Sequence, residues 1–260
     1  MMKKLKMFTF LLGGMLLVNC STEDADTSTS LEELDVLKFS ATQAFFVGDD
    51  RTDATTLNGG YWWTIYKEGG WGKLNFSGAQ TYPGNFEIEY KNNQDIVGGK
   101  GWEFGQWNRV INYNIGTLEG SYKFVGAYGW AKATSGELIE YYIVEKKKGD
   151  GIPGVNKNQD FTVNNKNYRF LIQDREGPSV EGDKKFKQFI SENKNPNSIA
   201  LNVNQRISFQ KHAEHWGTYG NEGSLNNWGW YQVFGIESFN YTPSQNDGNG
   251  NWGKINATIW

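Results

Sequence analysis

The sequence has few of the residues that build metal centres and covalent crosslinks. Its 260 residues include one Cys and two His, too few for the four Cys and His ligands of a structural zinc site or for an internal disulfide. Charge is also sparse: charged residues make up 21% of the chain and the net charge is −3. That balance provides no basic surface for DNA or RNA. We therefore expect no metal, no cofactor and no nucleic-acid partner.

Proline is scarce too, whereas glycine and aromatic residues are abundant. There are 5 Pro, but 32 Gly, 16 Phe, 13 Tyr and 11 Trp. A chain this rich in aromatic residues is not disordered, and it lacks the Leu, Lys and Glu repeats of a coiled coil. Glycine suits tight turns and aromatic residues suit pleated strands. The composition therefore predicts a globular, mainly β protein.

The first residues have the layout of an export signal. Three Lys within residues 3–6 precede an uncharged apolar run at 7–18, which is too short to span a membrane as a helix. The run is followed by Asn19 and Cys20, and this end of the segment resembles a bacterial lipoprotein signal. We predict a signal peptide at 1–19 and a polar tether at 20–38 that starts at lipidated Cys20, the only membrane attachment; ordinary signal cleavage nearby is the alternative. The protein would then be an outer-membrane or cell-surface lipoprotein, or otherwise secreted.

The rest of the chain, 39–260, has the pattern of one all-β domain. In residues 122–130 the aromatic side chains share one parity and Lys123, Val125 and Ala127 the other, which is the alternation of a strand. Similar runs lie at 86–90, 110–114, 168–172 and 255–259, separated by turns at 92–93, 164–165 and 247–250. Short strands at this spacing predict a sandwich or jelly roll. One short helix is predicted at 210–219, with His212 and His215 as surface residues rather than catalytic ones.

Two glutamates lie in the middle of strongly β-forming segments. Glu140 lies in ELIEYYIVE (137–145), and Glu237 shares a parity with Tyr231 and Phe239 in WGWYQVFGIESF (228–239). A carboxylate buried in a strand is costly unless it has partners or faces a wet cleft. Each glutamate taken alone fits a structural role. Together they are the best candidates for chemistry, because two carboxyl groups flanking a sugar bond are sufficient for glycoside hydrolysis.

At these residues the sequence resembles the xylanases of glycoside hydrolase family 11 over nearly all of 59–260. The resemblance rests on the following segments: GGYWWTIYKEGGWGKLNF (59–76), DIVGGKGW (95–102), RVINYN (109–114), YGW (128–130), LIEYYIVE (138–145), PSVEG (178–182) and GIES (235–238). It implies a β-jelly roll of two packed, strongly curved antiparallel sheets with a single short α-helix. It also implies a monomeric endo-1,4-β-xylanase that acts on xylan with retention, its two carboxyl groups about 5–5.5 Å apart.

The resemblance also implies roles for individual residues. Glu140 would be the nucleophile and Glu237 the acid/base; Tyr113 and a nearby hydroxyl would hydrogen-bond to Glu140. Asp95 and Tyr142 would tune the acid/base, with Asp95 implying an acidic pH optimum. The implied substrate-binding residues are Tyr66, Trp62, Tyr113, Gln188, Pro178 and Arg175.

The sequence departs from the family pattern at several places. The segment QDREGPSV (173–180) is one residue short between Arg175 and the Pro178 tip, and FISENK (189–194) replaces an aromatic-rich strand. Two other functions therefore stay open. One is an endo-β-1,4-glucanase of the related jelly-roll clan, and the other is a catalytically weak xylan-binding surface lipoprotein.

Overall fold

The structure is a computed structural model that describes residues 44–46, 48, 50–149, 155–219, 224–239 and 251–260. Cys20, the tether and the predicted turn at 247–250 lie outside the described residues. The described strands are β1 Ala44–Phe46, β2 Asp50–Asp53, β3 Trp62–Glu68, β4 Trp71–Asn75, β5 Asn85–Lys91, β6 Asp95–Trp102, β7 Val110–Gly120, β8 Phe124–Ala133, β9 Leu138–Lys147, β10 Val155–Val163, β11 Lys166–Gly177, β12 Lys184–Asn193, β13 Gln205–Ser208, β14 Leu225–Asn227, β15 Gln232–Phe239 and β16 Trp252–Ile259. The α-helix α1 spans Phe209–Gly217, and 3-10 turns span Ser77–Gln80 and Pro196–Ser198.

These strands form two sheets. The six-stranded sheet has the order β1-β4-β5-β16-β7-β13, and the ten-stranded sheet has the order β10-β11-β12-β9-β8-β15-β6-β3-β2, with β14 paired to β8. Nearly every pairing is antiparallel; β9 and β12 pair in parallel. No helix among the described residues has the length and apolar character needed to cross a membrane. The predicted all-β jelly roll is confirmed, with two sheets and one α-helix among the described residues.

Alternation along the strands creates two separate apolar clusters. In β9, Ile139, Tyr141 and Ile143 join the large cluster between the two sheets. Leu138, Tyr142 and Val144, one position out of phase, join a smaller cluster on the opposite face of the ten-stranded sheet. We call these the core face and the cleft face. Glu140 shares the parity of the cleft face.

The Gly-Gly-Lys-Gly segment lies inside β6, between β3 and β15. A Cβ atom on Gly99 would lie 2.2 Å from the Phe234 carbonyl oxygen, so glycine allows β15 to approach closely. The fully buried Lys100 side chain points the other way, where its Nζ donates to Asn58 Oδ1 (2.6 Å) and to the Pro83 carbonyl oxygen (2.7 Å). The segment therefore has a structural role inside β6: it lets the neighbouring strand pack closely and ties the strand to two loops.

Helix α1 packs one face onto the core. Phe209, His212, Ala213 and Trp216 are its buried residues, in the spacing of one helical face. The expectation that both His lie on the surface is wrong for His212, which is fully buried with its ring 4.6 Å from that of Tyr168. His215 is half-buried and stacks on Phe161.

Candidate active site

The cleft face of the ten-stranded sheet forms the floor of a cavity of about 450 Å³. Its walls come from strands on both sides of β9 and β15 and from the loop between β11 and β12. The lining residues are Arg51, Tyr66, Glu68, Asp95, Val97, Tyr128, Trp130, Glu140, Tyr142, Arg175, Pro178, Ser179, Val180, Phe186, Gln188, Tyr231 and Glu237. Both candidate catalytic glutamates therefore face one cleft.

Glu140 on β9 is held by neutral donors from the strands on each side. Tyr128 on β8 donates to Glu140 Oε1 (2.8 Å), and Gln188 on β12 donates to Oε2 (2.5 Å). Burial raises the pKa of Glu140, while the hydrogen bonds from Gln188, Tyr128 and Tyr142 act to lower it. These bonds stabilise the carboxylate form and fix its orientation.

The position of Gln188 follows from strand pairing. β12 pairs in parallel with β9 so that Gln188 lies directly opposite Glu140. Gln173 on the next strand, β11, donates to the Gln188 side-chain oxygen. That contact orients the amide, leaving its NH2 group to face Glu140.

Glu237 on β15 has different surroundings. Its pKa is raised well above the ordinary value, first by burial and then by the negative charges of Asp95 and Glu140. Tyr142 accepts a hydrogen bond from the Gln188 amide (3.4 Å) and acts to lower the pKa of both Glu140 and Glu237. Glu237 Oε2 is buried without a hydrogen-bond partner in the part of the chain that the structure describes. Glu237 thus holds its proton to higher pH and keeps one oxygen unengaged.

Tyr113 does not reach the cleft, so its predicted hydrogen bond to Glu140 is wrong. It lies on β7 of the six-stranded sheet, fully buried between the sheets, and donates to Glu145 Oε2 (2.5 Å). Because Glu145 and Glu140 are an odd number of residues apart on β9, they lie on opposite faces. The hydroxyl that bonds to Glu140 belongs to Tyr128 instead.

The other predicted site residues divide between the cleft wall and the layer beneath it. Most of them line the cavity; Trp62 does not, and it stacks on Tyr231 at 5.0 Å between ring centroids. Trp62 therefore supports the floor of the cleft. The predicted residues that line the cavity are Tyr66, Asp95, Tyr142, Arg175, Pro178 and Gln188.

Several residues that line the cavity were not predicted as site residues from the sequence. Trp130 donates to the hydroxyls of Tyr128 (3.2 Å) and Tyr231 (3.1 Å), so it fixes the donor to Glu140. The shared parity of Phe124, Tyr128 and Trp130 was the available signal. Among the described residues, His, Cys, Asp and Glu form no group of three or more that could hold a metal ion.

Fold and site define a jelly-roll protein in which one aromatic cleft contains a buried pair of glutamates in unequal surroundings. The family described as "Glycosyl hydrolases family 11" matches residues 58–248, well over half of the chain. The chain belongs to this family.

Named relatives are similar over parts of the chain. Endo-1,4-beta-xylanase Xyn11B of Cellvibrio japonicus is 29% identical over 194 residues, covering 72% of this chain and 52% of the relative. Ethylene-inducing xylanase of Hypocrea rufa is 37% identical over 91 residues, covering 35% and 38%. Endo-1,4-beta-xylanase 11A of Botryotinia fuckeliana is 37% identical over 100 residues, covering 36% and 39%. The matches span about half or less of the length of these relatives.

Proposed function

We propose that this protein is an endo-1,4-β-xylanase that hydrolyses internal bonds of xylan with net retention. The observation that carries the proposal is the pair Glu140 and Glu237, which line one cleft but have unequal surroundings. Family membership and the names of the relatives support the same activity.

In the proposed mechanism Glu140 is the nucleophile. Its hydrogen bonds from Tyr128 and Gln188 favour the carboxylate, which attacks the anomeric carbon. Glu237, whose pKa is the more strongly raised, is still protonated and donates that proton to the leaving glycosidic oxygen. The products of this step are the shortened chain and a glycosyl ester on Glu140.

The second step reverses the role of Glu237. Once Glu140 is esterified its negative charge is gone, so one of the charges that raise the pKa of Glu237 disappears. Glu237 then accepts a proton from water, which attacks the ester and releases the sugar with its original configuration. Tyr66 and Pro178 on the cleft wall are the proposed contacts to the sugar chain.

The test compares polymers and matched variants. Wild type should release reducing sugars from xylan much faster than from carboxymethylcellulose, and Glu140→Ala should lose the activity while Glu119→Ala, at an exposed position of the other sheet, keeps it. Equal rates on both polymers would favour an endo-glucanase. Xylan binding without hydrolysis by the wild type would favour a binding protein. NMR of the first product should show the β anomer.

The proposed location follows from the predicted signal. We propose that the protein is exported, that residues 1–19 are removed, and that lipid on Cys20 anchors the catalytic domain through the 20–38 tether. Labelled palmitate should appear on wild type and be absent from Cys20→Ser. Unlabelled wild type would contradict the anchor and leave the catalytic proposal untouched.

A further inference from the structure

Two arginines line a cleft whose proposed substrate has a neutral backbone. Arg175 has a role within the catalytic centre, because its positive charge lowers the pKa of both Glu140 and Glu237. The charge of Arg51 acts elsewhere, on Tyr231 in the cleft floor. Arg51 therefore has no role in the catalytic centre like that of Arg175.

The guanidinium of Arg51 is held on one side. Its Nε lies 3.0 Å from Asp53 Oδ2, and Thr64 donates to Asp53 Oδ1 (2.6 Å). Neither Nη group has a hydrogen-bond partner within the described ranges, and 41% of the Arg51 side chain is exposed. An anchored guanidinium with two uncommitted NH2 groups facing a cleft is suited to a planar anion.

The remaining charges in the cleft restrict where an anion can bind. Besides the catalytic pair, Glu68 and Asp95 line the same cavity, and each carboxylate repels a negative group placed beside it. Arg51 lies opposite Tyr66 in the pairing of β2 with β3. The Tyr66 hydroxyl donates to Glu68, so on this side of the cleft Arg51 is the cation that would bind a carboxylate on a sugar near Tyr66.

We propose that Arg51 forms a subsite for the carboxylate of a uronic acid side group on xylan. The proposal rests on the proposed xylanase function and deepens it by naming the substrate class. The Nη groups donate to the carboxylate, while Asp53 and Thr64 keep the guanidinium in place. Uronate-bearing xylan is then a better substrate than the same polymer without charge.

The test uses one polymer in two forms: glucuronic-acid-substituted xylan, and the same xylan after its carboxyl groups are reduced to alcohols. Wild type should show a kcat/KM roughly ten-fold higher on the charged form, as expected for a charge-assisted hydrogen bond. Arg51→Gln should lose that preference, so that its kcat/KM on the charged form falls to the value that the same variant shows on the reduced form. Added salt should diminish the wild-type preference, since the site is partly exposed.

Arg175→Gln is the matched control because it removes the other cleft arginine. It should lower activity on both polymers by the same factor. A preference that survives in Arg51→Gln, or that disappears in Arg175→Gln instead, would overturn the assignment to Arg51. Wild type that hydrolyses both forms equally would also overturn it, whereas wild type that hydrolyses neither would contradict the proposed function.

Discussion

One strand carries two buried glutamates with opposite surroundings. Glu140 faces the cleft and is bonded by neutral donors, Tyr128 and Gln188. Glu145, five residues later on β9, faces the core, where Lys166 forms an ion pair with it and the hydroxyls of Tyr113 and Tyr168 donate to it. The carboxylate on the core face is therefore paired with a cation, whereas the carboxylate on the cleft face has only neutral hydrogen-bond donors.

The difference shows how alternation separates stability from chemistry. A carboxylate with a lysine partner and two hydroxyl donors has its hydrogen-bonding needs met, and Glu145 is fully buried, so no ligand reaches it. Glu140 is buried without a directly bonded cation, so its carboxylate form is high in free energy. The pKa values of both cleft glutamates are raised by burial for this reason. Glu145 on the core face thus contributes to stability, whereas Glu140 on the cleft face is in an environment suited to reaction.

The sharpest test of this contrast is the same substitution on each face. Glu145→Gln should destabilise the fold by about 3–5 kcal/mol, because it leaves the Lys166 side chain, which is only 10% exposed, without its ion pair. Glu140→Gln should change the free energy of unfolding by less than about 1 kcal/mol, since it removes a desolvated charge. Chemical denaturation at pH 7 measures both. Equal losses would show that the two faces do not differ in this way.

The free energy of unfolding should also depend on pH through His212, which α1 buries against the core. Burial lowers the pKa of His212 from 6.5 to about 3. Below pH 6.5 the unfolded chain binds a proton that the folded chain refuses until about pH 3, so stability falls across that range. Between pH 6.5 and 4.5 we expect a loss of about 2–3 kcal/mol from this residue, at up to about 1.4 kcal/mol per pH unit.

Unfolding measured at several pH values separates this effect from packing. His212→Phe should flatten the decline in stability between pH 6.5 and 4.5, whatever it does to stability at pH 7. His215→Phe should flatten it less, because His215 is only half-buried. An unchanged slope in His212→Phe would refute the role of His212.

Sequence patterns predicted the faces of single strands well. The parity of Glu140 and Glu237, the aromatic run at 122–130 and the helix near residue 210 all follow from local periodicity. The turns at Asn92 and at Asn164 and Asn165 are also found, with the positive φ angles that Asn tolerates. Local alternation is a property of a few neighbouring residues, so it can be recognised without knowing the fold.

Contacts between strands distant in sequence were the part that the sequence did not determine. Tyr113 and Tyr128 are both tyrosines in alternating strands, and only sheet pairing decides which one meets Glu140. The same holds for His212, which is buried because β10 and β11 pack against its helix through Phe161 and Tyr168. Arg51 could not be placed at the cleft because its strand is identified by its pairing with β3.

Tyr113 and Tyr128 permit a smaller test with nearly identical substitutions. Tyr128→Phe should lower kcat/KM on xylan roughly tenfold, the cost of one hydrogen bond to a charged group. It should also move the acid limb of the pH profile upward, because a bond that lowers the pKa of Glu140 is lost. Tyr113→Phe should reduce stability and leave the profile unchanged. The reverse pattern would restore the sequence-based assignment of Tyr113.

The smallest expected effect concerns Asp95 and the pH optimum. The negative charge of Asp95 raises the pKa of Glu237, and we propose that the two groups titrate as a pair that shares a proton. In such a pair the first proton is lost at low pH and the second at high pH. If the enzyme reacts only while both Asp95 and Glu237 are protonated, activity falls on the alkaline side of the optimum as the first of these two protons is lost. The optimum is then acidic.

Asp95→Asn leaves Glu237 as a single titrating group. The pKa of Glu237 should fall, because the negative charge of Asp95 no longer raises it. The activity optimum should nevertheless rise by about one pH unit, since this single pKa lies between the two values of the pair. NMR titration of Glu237 and the pH dependence of kcat/KM measure the two shifts separately. Shifts in the same direction, or an unchanged activity profile, would refute the shared proton and leave Asp95 as a source of negative charge alone.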